Sequence, residues 1–312
     1  MPQSDAPPPA TGPRDPITGA PAAIEDARPS LAGDVREIVR DIWRYRDLLY
    51  QLARRDIRIR YKQALMGFAW ALFMPALIVM SGLLVRFAMA YVAGRQVEMG
   101  SVAAIAVKAV PWGFFVSAIG FATSSLVANS TLVTKIYFPR ELLPLAAVLA
   151  AMFDALIGGT VVTLALPFLG VPPSAGLLWA PLIVGLLVLF TIATSLFLSC
   201  ANLFFRDVKY VVQVLLTFGI FFTPVFFDAA MFGPVAAPLA MLNPLAPLLE
   251  GLRLAVVEGH NLLLPLEVVV RGATVMAWSP WYLAYSALWA IGGLLVSAVV
   301  FHRSELLFAE YV

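Results

Sequence analysis

The stretch RDIRIRYKQALMGFAWALFMPALIVM, Arg55 to Met80, decides the reading of the fold. Arg55, Arg58, Arg60 and Lys62 crowd into its start, and from Ala64 onward it is almost wholly apolar. A helix needs about 20 predominantly apolar residues to cross roughly 30 Å of hydrocarbon. Lys and Arg concentrate at the cytoplasmic ends of such spans. The basic run therefore anchors the first span on the inner side of a membrane. Pro75 lies inside that span, where it removes a backbone hydrogen bond and kinks the helix. Membrane helices tolerate this where neighbouring helices or water satisfy the freed carbonyl. Span one is therefore expected to face protein or a pore.

The rest of the chain carries the same signature. Of 312 residues, 61% are hydrophobic and 13% charged, and the mean hydropathy is +0.87. Soluble domains are about half apolar and about a quarter charged. The chain reads as an all-α integral membrane protein with many spans. The single cysteine, Cys200, excludes an internal disulfide. His260 and His302, the only histidines, are far apart. A His-rich site is thus excluded, and no metal is expected. Nothing points to nucleic acid.

Residues 1–32 are rich in Pro and Ala without apolar periodicity and read as a disordered cytoplasmic tail rather than a signal peptide. Residues 33–63 read as one amphipathic helix. Asp34 and Glu37 have capping-box spacing, and Arg36, Arg40 and Arg44 form an i, i+4 row. Such a helix lies along a membrane surface with its arginines near anionic headgroups.

Residues 64–312 hold six candidate spans: 65–91, 112–133, 142–169, 177–203, 211–227 and 282–301. Lys135 and Arg140 separate the second from the third, Arg206 and Lys209 the fourth from the fifth, and Arg303 follows the sixth. The opposite loops hold Arg95, Lys108, Arg253 and Arg271. Both termini are therefore expected to be cytoplasmic.

Between the last two spans, Thr223–Ser279 is apolar but broken by Pro224, Pro234, Pro238, Pro244 and Pro247. Asn243–Pro244 reads as a helix start, and Glu250 and Arg253 are spaced to pair on that helix. Short re-entrant helices are expected, entering from the outer side, with a surface loop carrying interfacial helices as the alternative. Asp154, within span three, is expected to make a local bond between helices. The chain has no phosphate-binding loop, no H-E-x-x-H and no G-x-S-x-G. No catalytic set is expected, so active transport requires energy from another polypeptide or a proton site at Asp154.

Several of these segments resemble membrane subunits of ABC exporters of lipid-linked polysaccharides, which export O-antigen, capsule and teichoic acid. Arg55-Asp56, Arg60-Tyr61, Leu65 to Gly67, Trp70 and Pro75 resemble the family's R-D-x-x-x-R-Y-x-x-x-x-L-G-x-x-W-x-x-x-x-P signature. Pro111-Trp112-Gly113-Phe114-Phe115 resembles its P-W-x-F-F, and Lys135-Ile136-Tyr137-Phe138-Pro139-Arg140-Glu141 its K-x-x-F-P-R-E loop. Phe205-Arg206-Asp207-Val208 resembles its R-D-V; Pro224-Val225, Asn243-Pro244-Leu245 and Arg253 resemble its outer-gate segment. The ending Phe301 to Val312 resembles its F-x-R-x-E-x-x-F-A-E-x-V tail.

The resemblance implies a homodimer in the bacterial cytoplasmic membrane, bound to two copies of a separate ATPase that carries ATP and Mg2+. It implies that the 135–141 loop docks on that ATPase. Tyr137 and Phe138 would supply apolar area, Lys135 and Arg140 would supply charge, and Pro139 and Glu141 would open a short helix. Arg206 and Asp207 mark the second inner loop. Arg55, Asp56, Arg60, Tyr61, Trp70 and Pro75 would link the surface helix to span one. Pro224, Asn243, Pro244, Glu250 and Arg253 would form an outer gate. The expected cargo is a glycan on a lipid carrier. Tyr91, Trp112, Phe114, Phe115 and Phe121 are candidate sliding surfaces for it, or members of the interfacial aromatic belt. Two other readings stay open: an exporter of another lipid, and a membrane enzyme acting on lipid-linked sugars, for which Glu250, Glu258 and Glu267 are the available acids.

Overall fold

A computed structural model describes residues 31–62, 69–94, 99–135, 138–270 and 272–311. Residues 1–30 of the expected 1–32 tail, the motif residues Leu65 to Gly67, Ile136, Tyr137, Arg95 and Arg271 lie outside these residues, whereas Leu31 and Ala32, expected in the tail, open a helix.

The amphipathic segment forms two helices, α1 (Leu31–Arg44) and α2 (Arg46–Tyr61), rather than one. They join at Tyr45, whose φ of −100° and ψ of 19° leave the helical region. Asp34 does not cap α1. It lies in the first turn, buried, and accepts a hydrogen bond from Arg303 Nε at 2.9 Å. Arg36, Arg40 and Arg44 are exposed, as the row implied.

Then follow α3 (Ala69–Ala93), α4 (Met99–Ala128), the short α5 (Ser130–Lys135), α6 (Leu142–Ala165) and α7 (Ala180–Phe204). Next come α8 (Val208–Phe222), α9 (Gly233–Ala240) and α10 (Leu245–Val257). A hairpin of β1 (Leu266–Val270) and β2 (Ala273–Trp278) precedes α11 (Pro280–Ser304) and α12 (Phe308–Tyr311). Among the described residues, α3, α4, α6, α7 and α11 are long and apolar enough to cross a membrane.

Three expectations change. The fifth candidate span is only α8, of 15 residues, about 22 Å long. It stops because Thr223 precedes Pro224 and takes extended angles, as a residue before proline tends to. The second span begins at Met99, which moves Lys108 from an outer loop into the middle of α4. The fold is also not purely helical. Leu266–Trp278 forms an antiparallel ladder pairing Val268 with Val275 and Val270 with Ala273. Its β-branched residues suit a pleated strand, and Gly272, at φ +82°, supplies the left-handed turn.

α4 is the centre of the bundle. In its apolar window 67% of residues are buried, against 6% in α3. The small residues Ala103, Ala106, Ala109, Ala118 and Ala122 line its buried face, so neighbouring backbones come close. α6 and α7 pack on it, and α2 packs along α6. At one end, called here the collar, Leu52, Phe138, Leu142, Leu203, Phe301 and Phe308 form a buried cluster. At the other, the hairpin end, Trp278 is fully buried and its indole donates to the Leu262 carbonyl at 2.9 Å. There α10 lies so close to the 3₁₀ turn Ala175–Trp179 that a Cβ at Gly176 would meet the Ala255 carbonyl oxygen at 1.9 Å.

Candidate functional site

At the collar, α5 ends on Lys135, which is exposed. Phe138 is buried in the collar cluster instead of being offered to a partner. Arg140 is also engaged within the chain: its Nη1 donates to the Glu305 carbonyl at 2.6 Å and its Nη2 to that of Val133 at 3.3 Å. Its backbone N–H donates to Glu305 Oε1 at 3.1 Å. Pro139 does not open a helix. It begins a tight turn closed by the Leu142 N–H on its carbonyl at 3.2 Å, and α6 starts at Leu142. Glu141 is buried, with His302 Nδ1 at 3.3 Å from its Oε1. Burial pushes the Glu305 carboxyl up, and the neighbouring Glu141 adds to the shift. In the second loop Arg206 and Asp207 are exposed. The Asn202 side chain, not Asp207, caps α8 by accepting from the Lys209 N–H at 3.1 Å.

Asp154 makes the expected bond between helices, and its partners come from α2. Arg60 Nη1 donates to it at 2.6 Å and the Tyr61 hydroxyl donates to its other oxygen. The Arg60 guanidinium also sits over the Phe121 ring, 4.0 Å from its centroid. One arginine thus joins α2, α4 and α6. Burial pushes the Tyr61 hydroxyl up, and its bond to Asp154 adds to this. Arg55 pairs with the adjacent Asp56 at 2.9 Å. Trp70 and Pro75 lie on α3.

The five candidate sliding rings do not share one wall. Tyr91 is 89% exposed and Phe121 is 54% exposed. Phe114 is buried and lines an apolar cavity of about 440 Å³ together with Met152, Leu156, Thr160 and Val188. Trp112 and Phe115 line a second cavity, of about 250 Å³, beside α8. Phe115 stacks on Phe190 at 5.9 Å.

The hairpin end holds the densest buried charge. Glu250 and Arg253 pair as their spacing implied, at 2.7 Å, but both are buried. Arg253 also bonds Glu258 at 2.5 Å and approaches Asp228 to 3.3 Å. Lys108 is 0% exposed, with its ammonium 3.0 Å from Asp228, 3.5 Å from Glu250 and 2.8 Å from the Phe227 carbonyl it donates to. Arg86 of α3 donates to the Phe226 carbonyl at 3.1 Å and to Asp228 at 3.1 Å. Burial pushes the Asp228 carboxyl up, but Lys108, Arg253 and Arg86 outweigh it and hold the group well below the usual carboxylate range. Burial opposes the charge on Arg253, and Glu250 and Asp228 overcome it and push the guanidinium up. Three cations from three helices therefore grip the loop after Pro224. Asn243 ties the same loop to α10: its Nδ2 donates to Thr223 Oγ1 at 3.0 Å and its Oδ1 accepts from the Leu245 N–H at 3.1 Å.

Sequence reasoning missed Arg86, Lys108 and Asp228 as members of this cluster. The available signal was a lone charge inside an apolar run, which membrane helices keep only where a partner compensates it. The cluster sets three cations, Arg86, Lys108 and Arg253, against three carboxylates, Asp228, Glu250 and Glu258, and so fastens the loop to α3, α4 and α10.

The family model of the ABC-2 type transporter matches residues 47–257, from α2 to the end of α10. The chain is similar to the O-antigen export system permease protein RfbA of Myxococcus xanthus, with 27% identity over 246 residues, 78% of this chain and 93% of that protein. It is also similar to an O-antigen export system permease protein RfbA of Klebsiella pneumoniae, with 29% identity over 204 residues, 65% of this chain and 77% of that protein. The matched region takes in the Arg60–Asp154 joint and most of the buried ion-pair cluster. The chain belongs to the ABC-2 type transporter family.

Proposed function

We propose that this chain is the permease subunit of an ATP-driven exporter that carries an O-antigen-type polysaccharide, on its lipid carrier, across the bacterial cytoplasmic membrane. The observation that carries the proposal is the similarity to an O-antigen export permease over 93% of that protein's length. The sequence holds no phosphate-binding loop, which supports ATP hydrolysis on a separate ABC ATPase subunit. The exposed Lys135 at the end of α5 and the exposed Arg206 and Asp207 lie on the loops expected to meet that ATPase. Positive charge on these loops supports a cytoplasmic collar and cytoplasmic termini. The bare α3, with 6% of its apolar window buried, supports a homodimer that covers it with a second copy. The Asp228 cluster and α10 would fix the outer gate, and the two apolar cavities beside Phe114 and Trp112 would admit lipid or glycan surfaces.

A deletion strain tests the reading. Loss of the chain is expected to remove long-chain polysaccharide from the cell surface while lipid-linked glycan accumulates inside. The wild-type gene, supplied in trans, is expected to reverse both. Unchanged surface polysaccharide in the deletion strain would overturn the proposal.

A further inference from the structure

The collar holds a cluster of ligand-type side chains to which the transport reading gives no ligand. Glu141 precedes α6, His302 stands in the last turn of α11, and Glu305 follows in the next 3₁₀ turn. One ligand-type atom from each lies within 4.8 Å of the others. All three line a polar pocket of about 220 Å³ that is also lined by Glu37, Arg40, Asp41 and Arg44 of α1. Within it the Glu141 side chain is 4% exposed, and its Oε2 has no hydrogen-bond partner among the described residues. An orphaned buried carboxylate oxygen is costly, and a bound metal ion would satisfy it.

We propose that Glu141, His302 and Glu305 form a binding site for a divalent transition-metal ion, with Zn2+ as the best fit. An imidazole beside two carboxylates suits Zn2+, whereas Mg2+ and Ca2+ take oxygen ligands. Zn–N and Zn–O bonds of about 2.0–2.2 Å put neighbouring ligands of a tetrahedral ion about 3.3–3.6 Å apart. His302 Nδ1 and Glu141 Oε1 already stand at 3.3 Å. The remaining separations close by about 1 Å, within the range of a carboxylate rotamer change. Metal-bound histidines commonly donate their second N–H to a carboxylate. Here Glu37 Oε2 stands 3.9 Å from His302 Nε2. The Arg140 backbone N–H already orients Glu305. The metal replaces the loose 3.7 Å approach of Arg140 Nη1 to Glu305 Oε1, and Arg140 keeps its bonds to the Glu305 and Val133 carbonyls. A bound ion would pin the 138–141 loop to the end of α11 and, through Glu37, to α1.

The test uses the purified full chain, stripped with chelator and titrated with Zn2+ by calorimetry, with Co2+ absorption as a second readout of ligation. One ion per chain is expected. His302→Ala, Glu141→Gln and Glu305→Gln should each weaken binding by about tenfold or more, while His260→Ala leaves it unchanged. Titration of the wild-type chain needs no variant to fold: an isotherm without saturable binding would overturn the proposal and leave the cluster as an ion-paired joint. Binding lost in His260→Ala and kept in His302→Ala would overturn it equally.

Discussion

Lys108 occupies the position with the largest single electrostatic consequence. Its ammonium is fully buried against Asp228, Glu250 and a carbonyl. Removing one member of a buried ion pair leaves an uncompensated charge, at about 3–5 kcal/mol. Lys108→Met is therefore expected to destabilise the purified protein by about that amount in chemical denaturation. Adding Glu250→Gln to Lys108→Met should recover part of the loss, because the two sites are in contact and couple. Asp228 gives the pH dependence. Its carboxyl is depressed in the folded protein, so its stabilisation is fully present above the ordinary value of about 3.9 and fades as pH falls below that. The stability margin of the wild type over Asp228→Asn should stay constant from about pH 7 to pH 5 and shrink below about pH 4. A margin that already narrowed at pH 6 would contradict the ion-pair account. Of this cluster, only the Glu250–Arg253 pair was legible in the sequence. Helical spacing reveals a partner three residues away. It does not reveal that α3 and α4 bring Arg86 and Lys108 to a loop more than a hundred residues later.

Elements were legible where composition alone decides them and obscure where tertiary contact does. The apolar runs gave closely four of the five helices that, among the described residues, are long and apolar enough to cross a membrane, since length and hydropathy suffice for them. The start of α4 escaped because Lys108 looked like a loop charge, and its compensation is long-range. The hairpin escaped because an apolar run of this length suits a helix or a strand equally. The inward turn of Phe138 and Arg140 was hidden because their partners, Phe301, Phe308 and Glu305, lie at the far end of the chain. Two element-scale outcomes follow. Gly176→Ala places a Cβ where the Ala255 carbonyl oxygen leaves 1.9 Å. It should lower the thermal midpoint by several degrees through displacement of α10, whereas Gly185→Ala, which meets nothing within 4 Å, should not. Arg60→Gln removes the charge that joins α2 to Asp154 and to the Phe121 ring. Limited proteolysis should then cut the α1–α2 segment faster than in the wild type, and equal rates would contradict a fastening role for that joint.

At the scale of the molecule, two fastened ends enclose a bundle centred on α4. The collar joins α1, α6 and the end of α11, and the hairpin end joins α3, α4 and α10 through buried charge. Such a body would pass movement from one end to the other through α4, with the energy entering from a partner at the collar. Under the proposed docking, Lys135 is an exposed cation of the first inner loop, whereas Arg140 is held inside. Lys135→Glu should weaken co-purification of the companion ATPase and leave the thermal midpoint of the isolated chain unchanged. The most direct test of the central claim is reconstitution in lipid vesicles, with and without the ATPase, following transfer of lipid-linked polysaccharide across the bilayer. Transfer that requires both subunits and ATP is the expected result. Transfer by this chain alone, or none by the complete pair with ATP, would contradict it.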